Sequence, residues 1–143
     1  MDITTRIHDS FAKQGLMTTL GASLGSVAPG AVEIVLVPSP AISQQHGFVH
    51  AGAVSAIADS AAGYSALSLM PEDAGVLTTE FKINLVAPAV GERIIARGRV
   101  VRSGRTLTLT QSDVFAVSNG EERLVALLTA TMMTLRGREG VSD

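Results

Sequence analysis

Gln44-Gln45-His46-Gly47-Phe48-Val49-His50-Ala51-Gly52 runs without a break into Ala53-Val54-Ser55-Ala56-Ile57-Ala58-Asp59-Ser60-Ala61-Ala62-Gly63. The first stretch, with Gly47 inside it and Gly52 at its end, reads as a loop that enters a helix. The second is a helix of small residues, predicted to begin near Ala51 and to stop near Met70, before Pro71. Its one charged group is Asp59. Loop, helix start and acid together have the form of an active site, and the rest of the chain reads as the sheet around it.

A carboxylate in an alanine-rich buried helix is costly unless it is paired or used, and Asp is a poor helix former. The plainer readings are that its stripe faces water, or that Asp59 is a structural hydrogen-bonding residue. The glycine-flanked helix start, just over two turns before it, favours chemistry. A helix N-terminus offers unpaired N–H groups and positive dipole potential. Ala51 and Gly52 have no bulk to keep an oxygen away, so the N–H near Ala51 is a candidate oxyanion donor. His46 and His50 are four apart, the spacing of a metal pair on a helix. Gly47 argues against helix there, no Cys assists, and Asp59 is the only nearby carboxylate, so no metal is expected. His50 reads first as a hydrogen-bonding residue that fixes the loop and second as a general acid/base. Ser55, Ser60 and Ser65 lack a Gly-x-Ser-x-Gly elbow, and Gly21-Ala22-Ser23-Leu24-Gly25 lacks the ending of a phosphate-binding loop.

Within the helix, Gly52, Ser55, Ala56, Asp59, Ala62, Gly63 and Ala66 fall near one stripe, where another backbone is expected to approach closely. Val54, Ile57, Ala61 and Leu67 fall opposite and are expected to fill the core. Only 3% of the residues are aromatic and none is Trp, which suits a sheet wrapped tightly round a thin helix.

Working outward, residues 2–19 read as a short amphipathic helix, with Ile3, Ile7, Phe11 and Leu16 near helical spacing. Leu20 to Pro29 suggests a first strand with a turn. Ala31 to Val37 alternates as a second strand, ended by Pro38 and Pro40. Four strand-like runs follow the long helix: Gly75 to Ala87, Glu92 to Val101, Thr106 to Val117 and Arg123 to Leu135. Ser103-Gly104 and Asn119-Gly120 are hairpin turns, and successive hairpins make an antiparallel sheet. The order is α+β rather than alternating βαβ.

The totals agree. A chain of 143 residues makes one domain with a real core. An apolar fraction of 46% and a mean hydropathy of +0.34 suggest an oligomer that hides further surface. No apolar run reaches the roughly 18 residues of a membrane span. The N-terminus lacks the basic-then-apolar order of a signal peptide, and without cysteine there is no disulfide, thiol nucleophile or Cys-based metal site; the cytoplasm is the default compartment. The net charge of −2 gives no pull toward nucleic acid. Of the basic residues, Lys82, Arg93, Arg97, Arg99, Arg102 and Arg105 cluster along one stretch, for most of which a solvated sheet face is the preferred reading.

The spaced set Gln44, Gly47, His50-Ala51-Gly52 and Asp59, with Thr78 and Pro88 downstream, resembles the signature of the hot-dog-fold thioesterases, in their phenylacetate-degradation (PaaI-like) branch. The resemblance covers roughly residues 20–136. This chain departs from the pattern at Ala51, where Gly is preferred, and mildly at Gln44, where many members have Asn. The resemblance implies a hot-dog fold, an antiparallel sheet wrapped around a long central helix, in one domain over 1–143 with an N-terminal helix (1–19), the core (20–136) and a tail (137–143). It implies hydrolysis of acyl-CoA thioesters, with aryl-acetyl or medium-chain acyl groups. By that resemblance the Ala51 N–H is expected to polarise the thioester carbonyl, Asp59 to act as nucleophile or general base, Gln44 to orient carbonyl or water, and Thr78 to bond the water or Asp59. Gly47 and Gly52 belong to the substrate-binding loop. Asp59 and Thr78 then come from one subunit and Gln44 and Ala51 from another, in a homodimer or a tetramer built as a dimer of dimers. No cofactor is implied beyond the coenzyme A of the substrate, and Arg102 and Arg105, in a basic hairpin turn, are candidates to touch its phosphates. Two other readings stand beside this one: an acyl-thioester hydratase on the same fold, using His50 with an acid, and a non-catalytic acyl-CoA-binding or sensing module. Asp59 favours catalysis over the last, because binding alone needs no buried acid.

Overall fold

The computed structural model describes residues 1–143. Its elements are α1 (Ile3–Ala12), α2 (Gly15–Leu20), β1 (Ser23–Ala28), β2 (Ala31–Leu36), a 3-10 turn (Pro40–Ile42), α3 (Ala51–Leu67), β3 (Gly75–Leu85), β4 (Arg93–Arg102), β5 (Leu107–Ser118) and β6 (Glu121–Leu135). All six strands form one antiparallel sheet in the order β1-β2-β4-β5-β6-β3, and α3 packs against it. This is the hot-dog architecture that the family resemblance implies.

The N-terminal expectation is corrected. The N-terminal helix is two helices. Lys13 closes α1 with its N–H, and Gln14 turns extended before α2 starts at Gly15, a weak helix former; the Gln14 side chain does not cap α2 but bonds across the fold to Tyr64. β3 is not joined to β4 by a hairpin. It pairs with β6 at the far edge, Thr78 opposite Met132 and Ile83 opposite Leu128, and the chain then crosses back to lay β4 beside β2. The expected hairpins do join β4 to β5 and β5 to β6. Asn119 (φ 53°) and Gly120 (φ 77°) both take the left-handed conformation that a two-residue hairpin demands.

Contact between helix and sheet is set by Gly98 on β4. A Cβ placed there would lie 2.3 Å from the Ala61 carbonyl oxygen. Ala58, Ala61 and Ala62 are fully buried against this surface with Val54 and Ile57. The close backbone approach is thus on the Ala61 side of α3, not on the Asp59 stripe where the small residues suggested it, and Ala62 and Ala66 from that stripe are core. Ser55, Ala56, Asp59 and Ser60 stay half-buried.

Helix α3 ends at Leu67, short of Met70. Arg6 is buried at this end and its five N–H bonds all go to backbone oxygens: Nη1 to Leu67 and Met70, Nη2 to Pro71 and Ala74, Nε to Asp143. A cation there also suits the negative end of the helix dipole. On the sheet face away from α3, Arg97 makes a bidentate pair with Glu122 at 2.6 Å, bonds Glu33 at 2.6 Å and lies 5.0 Å over the Phe115 ring. Arg99 bonds Asp113 and Gln111. These arginines belong to the sheet face.

Edge strand β3 is left largely uncovered. Phe81 and Leu85 stand opposite buried Ala130 and Ala126 on β6, on the helix side of the sheet, yet remain 46% and 51% exposed. No helix of the chain is long and apolar enough to cross a membrane.

Candidate active site

Loop 44–50 is organised by one side chain. Gln44 Oε1 accepts the N–H groups of His46 (2.6 Å) and Phe48 (3.2 Å), while the Gln44 backbone bonds Phe48 and Gly47. This leaves the Gln44 side-chain NH2 free to donate. Gly47 closes the turn at φ 84°, a conformation that favours glycine. The loop is fastened by His50 N–H to Ile42 and Val49 N–H to Ala89.

His50 caps α3. Its Nδ1 accepts the Gly52 N–H at 2.7 Å, so the neutral ring carries its proton on Nε2. The His50 carbonyl accepts Ala53 and Val54. Of the first-turn amides, only that of Ala51 has no partner in the chain. The Gly52 amide is taken by the cap, and a Cβ on Gly52 would come within 2.9 Å of Nδ1; this glycine shapes the cap rather than facing a ligand with its N–H.

Asp59 lies half-buried on α3, and the Thr78 hydroxyl of β3 donates to its Oδ1 at 2.7 Å. Burial raises the Asp59 carboxyl above its ordinary value, and the Thr78 bond partly opposes that rise. No cation pairs with it. Thr78 sits beside a register shift in β3, and its hydroxyl also touches Met132 Sδ at 3.3 Å.

These groups divide between two cavities. One, of about 490 Å³ and mostly apolar, is lined by Gln44, Phe48, His50, Ala51 and Val54, with Leu85 and the segment around Pro88. The other, of about 410 Å³ and mostly polar, contains Asp59, Thr78, Ser60, Tyr64, Gln14 and Lys13. Within one chain, then, the acid and its threonine are hydrogen-bonded and Gln44 and Ala51 line one cavity, but the two pairs open to different cavities. Arg102 and Arg105 line neither cavity; Arg102 ends β4 and both are exposed. Sequence reasoning missed Arg6, Gln14 and Tyr64. Their partners lie 46 to 137 residues away, so nothing local marks them.

A family model described as the thioesterase superfamily matches residues 46–122, the stretch from His46 in the loop before α3 to the start of β6. The chain belongs to the thioesterase superfamily. This thioesterase is 50% identical to a thioesterase family protein from Silicibacter pomeroyi whose crystal structure covers 94% of it and 99% of its own chain, with a TM-score of 0.92. A thioesterase from Haemophilus influenzae (17% identity, 93% and 91% covered, TM-score 0.83) shares its fold. So does the PaaI protein of the Escherichia coli phenylacetic acid degradation operon (17%, 98% and 95%, TM-score 0.82). A search of curated proteins gives no match. The chain is an enzyme of thioester hydrolysis.

Proposed function

We propose that this thioesterase hydrolyses acyl-CoA thioesters, of aryl-acetyl or medium-chain acyl groups, at a site completed by two copies of the chain. The observation that carries the reading is the half-buried Asp59, held by Thr78 and left without a cation. Its natural complement is the unpartnered Ala51 amide, which in one chain opens to the other cavity. A second copy laid along the uncovered β3 edge brings the two together. An exposed edge strand is a ready template for pairing, and Phe81 and Leu85 are the apolar surface such a copy would bury.

In this site the thioester carbonyl lies against the Ala51 N–H and the Gln44 side-chain NH2. Asp59 from the other copy supplies the carboxylate. As general base it takes a proton from water, whose oxygen attacks the carbonyl carbon; as nucleophile it attacks directly, and water then cleaves the mixed anhydride. In either case negative charge gathers on the carbonyl oxygen, where the helix amide stabilises it, and the C–S bond breaks to release thiolate. A thiol with pKa about 8.5 leaves without a strong acid, so one carboxylate and one oxyanion donor suffice. Arg102 and Arg105 are proposed contacts for the nucleotide phosphates. The His50 cap argues against a hydratase that would use His50 as its acid/base, because Nδ1 is already engaged.

The test is release of free thiol from a panel of acyl-CoAs, with gel filtration alongside. Release by the wild type is expected, with a fall of at least about a hundredfold in Asp59→Asn and Asp59→Ala. Full activity in both variants, or an active monomer, would remove this scheme.

A further inference from the structure

Thr78 has one hydroxyl proton and two acceptors for it. Asp59 Oδ1 lies 2.7 Å away on α3, and Met132 Sδ lies 3.3 Å away on β6. A hydroxyl is a single donor, so the two cannot be served together. A thioether is a weak acceptor, and an ionised carboxylate takes the proton in preference to it. The hydrolytic scheme leaves the sulfur without a task.

The fold sets that sulfur in place from both sheet and helix. Met132 stands directly opposite Thr78 in the β3–β6 ladder. The register shift that follows Thr78 is pinned by the Thr79 hydroxyl, which donates to the Thr131 carbonyl at 3.0 Å, and a bulge of this kind re-aims a neighbouring side chain. On α3, Gly63 lies one turn beyond Asp59, and a Cβ there would meet Met132 Sδ at 3.9 Å and no other part of the sheet within 4 Å. Met132 is fully buried. Its sulfur therefore fills the notch between Gly63 and Thr78, and its hydrogen bond is to the threonine.

Resting on the reading in which Asp59 is the general base, we propose that Met132 is a positioning residue that gives the Thr78 hydroxyl a second seat, so that donor and acceptor exchange when Asp59 takes a proton. Before the step Asp59 is ionised and accepts the Thr78 proton. In the step, water gives a proton to Asp59 as its oxygen attacks the thioester carbonyl. The carboxyl is now a donor. Its new O–H donates to Thr78 Oγ, and the Thr78 proton turns to Met132 Sδ. No proton leaves the threonine. Without the sulfur, the Thr78 proton has only Asp59 to turn to, and two hydrogens compete for one gap. Met132 thus supports the protonated acid and Thr78 the charged one, so removing each must move the acid in opposite directions. A methionine that only fills space would leave the acid where it is. The other titratable groups on this cavity, Lys13, Tyr64 and Asp143, make no bond to Asp59 and are the same in every variant.

The test is the titration of the Asp59 carboxyl, read by carbon-13 NMR and, independently, as the acid limb of kcat/KM for thiol release. Wild type, Met132→Leu, Thr78→Val and the double variant are compared, with circular dichroism confirming each fold. Leu keeps the volume and removes the acceptor. Protein with norleucine in place of its five methionines loses little but the sulfurs, and serves if Leu disturbs the fold. Met132→Leu is expected to lower both midpoints by about half a pH unit, against the rise in Thr78→Val, with kcat falling about twofold and KM unchanged. In the Thr78→Val background the same change is expected to do nothing. Midpoints that stay or rise when the sulfur is removed, or a fall that persists without Thr78, would overturn the proposal. Absence of thiol release by the wild type from every acyl-CoA would overturn the hydrolase reading, while the NMR titration decides the exchange on its own.

Discussion

His50 Nδ1 accepts the amide of Gly52 at 2.7 Å, and this one bond decides which helix amide stays free. With Gly52 capped and the next two amides on the His50 carbonyl, Ala51 alone keeps an unused N–H.

Replacing His50 therefore tests cap against proton transfer. Asn is among the best N-caps and Ala among the poorest. His50→Asn is expected to keep most of the stability and thiol-release activity. His50→Ala is expected to lose about 1 kcal/mol in denaturant unfolding and to fall further in rate as the helix start loosens. Equal inactivation by Asn and Ala, with both folded, would make His50 an acid/base instead.

Asp59 couples stability to pH. Its carboxyl is raised in the folded state, so the native protein holds the proton where the unfolded chain has released it. Stability falls as pH rises from the ordinary carboxylate value of 3.8 through the raised one. Asp59→Asn is expected to melt above the wild type at neutral pH, the gap closing in acid. The acid limb of kcat/KM is expected to have its midpoint above 3.8 and to move higher in Thr78→Val, which removes the bond that favours the charged form. Thr78→Ser is expected to restore it. A limb unmoved by Thr78→Val would detach the threonine from the carboxylate.

Arg6 binds five carbonyls at the end of α3. Arg6→Met leaves buried acceptors unpaired, and a loss of roughly 2–4 kcal/mol is expected by denaturant unfolding. A loss below about 0.5 kcal/mol, the scale of an ordinary surface change, would mean that water replaces it freely.

Gly98→Ala puts a methyl where the Ala61 carbonyl oxygen already stands. The helix must shift, at a cost of at least about 1–3 kcal/mol, read as a lowered melting temperature. Unchanged melting would show that α3 rides more loosely on the sheet.

Much of this architecture was legible in local signals. Strand alternation, Asn119-Gly120 and the stop near Pro71 each act over a few residues, and they placed the strands, the β5–β6 hairpin and α3 to within a few positions. The pairing of β3 with β6 was not legible, because consecutive strands ordinarily pair and nothing local marks a crossover. The break at Gln14 depends on Tyr64, and the end of α3 on Arg6, both remote in sequence. At the site, the spacing from Gln44 to Asp59 showed which residues to watch. It did not show that Gln44 Oε1 faces its own loop, or that Gly52 serves His50.

The Gly98–Ala61 contact also limits how a relative of this protein can change its taste. Main chain meets main chain there, so the scaffold cannot yield room on that flank without coming apart. Diversification is steered to the Asp59 flank, where the group nearest a Cβ at Gly63 is the Met132 sulfur at 3.9 Å and not another main chain.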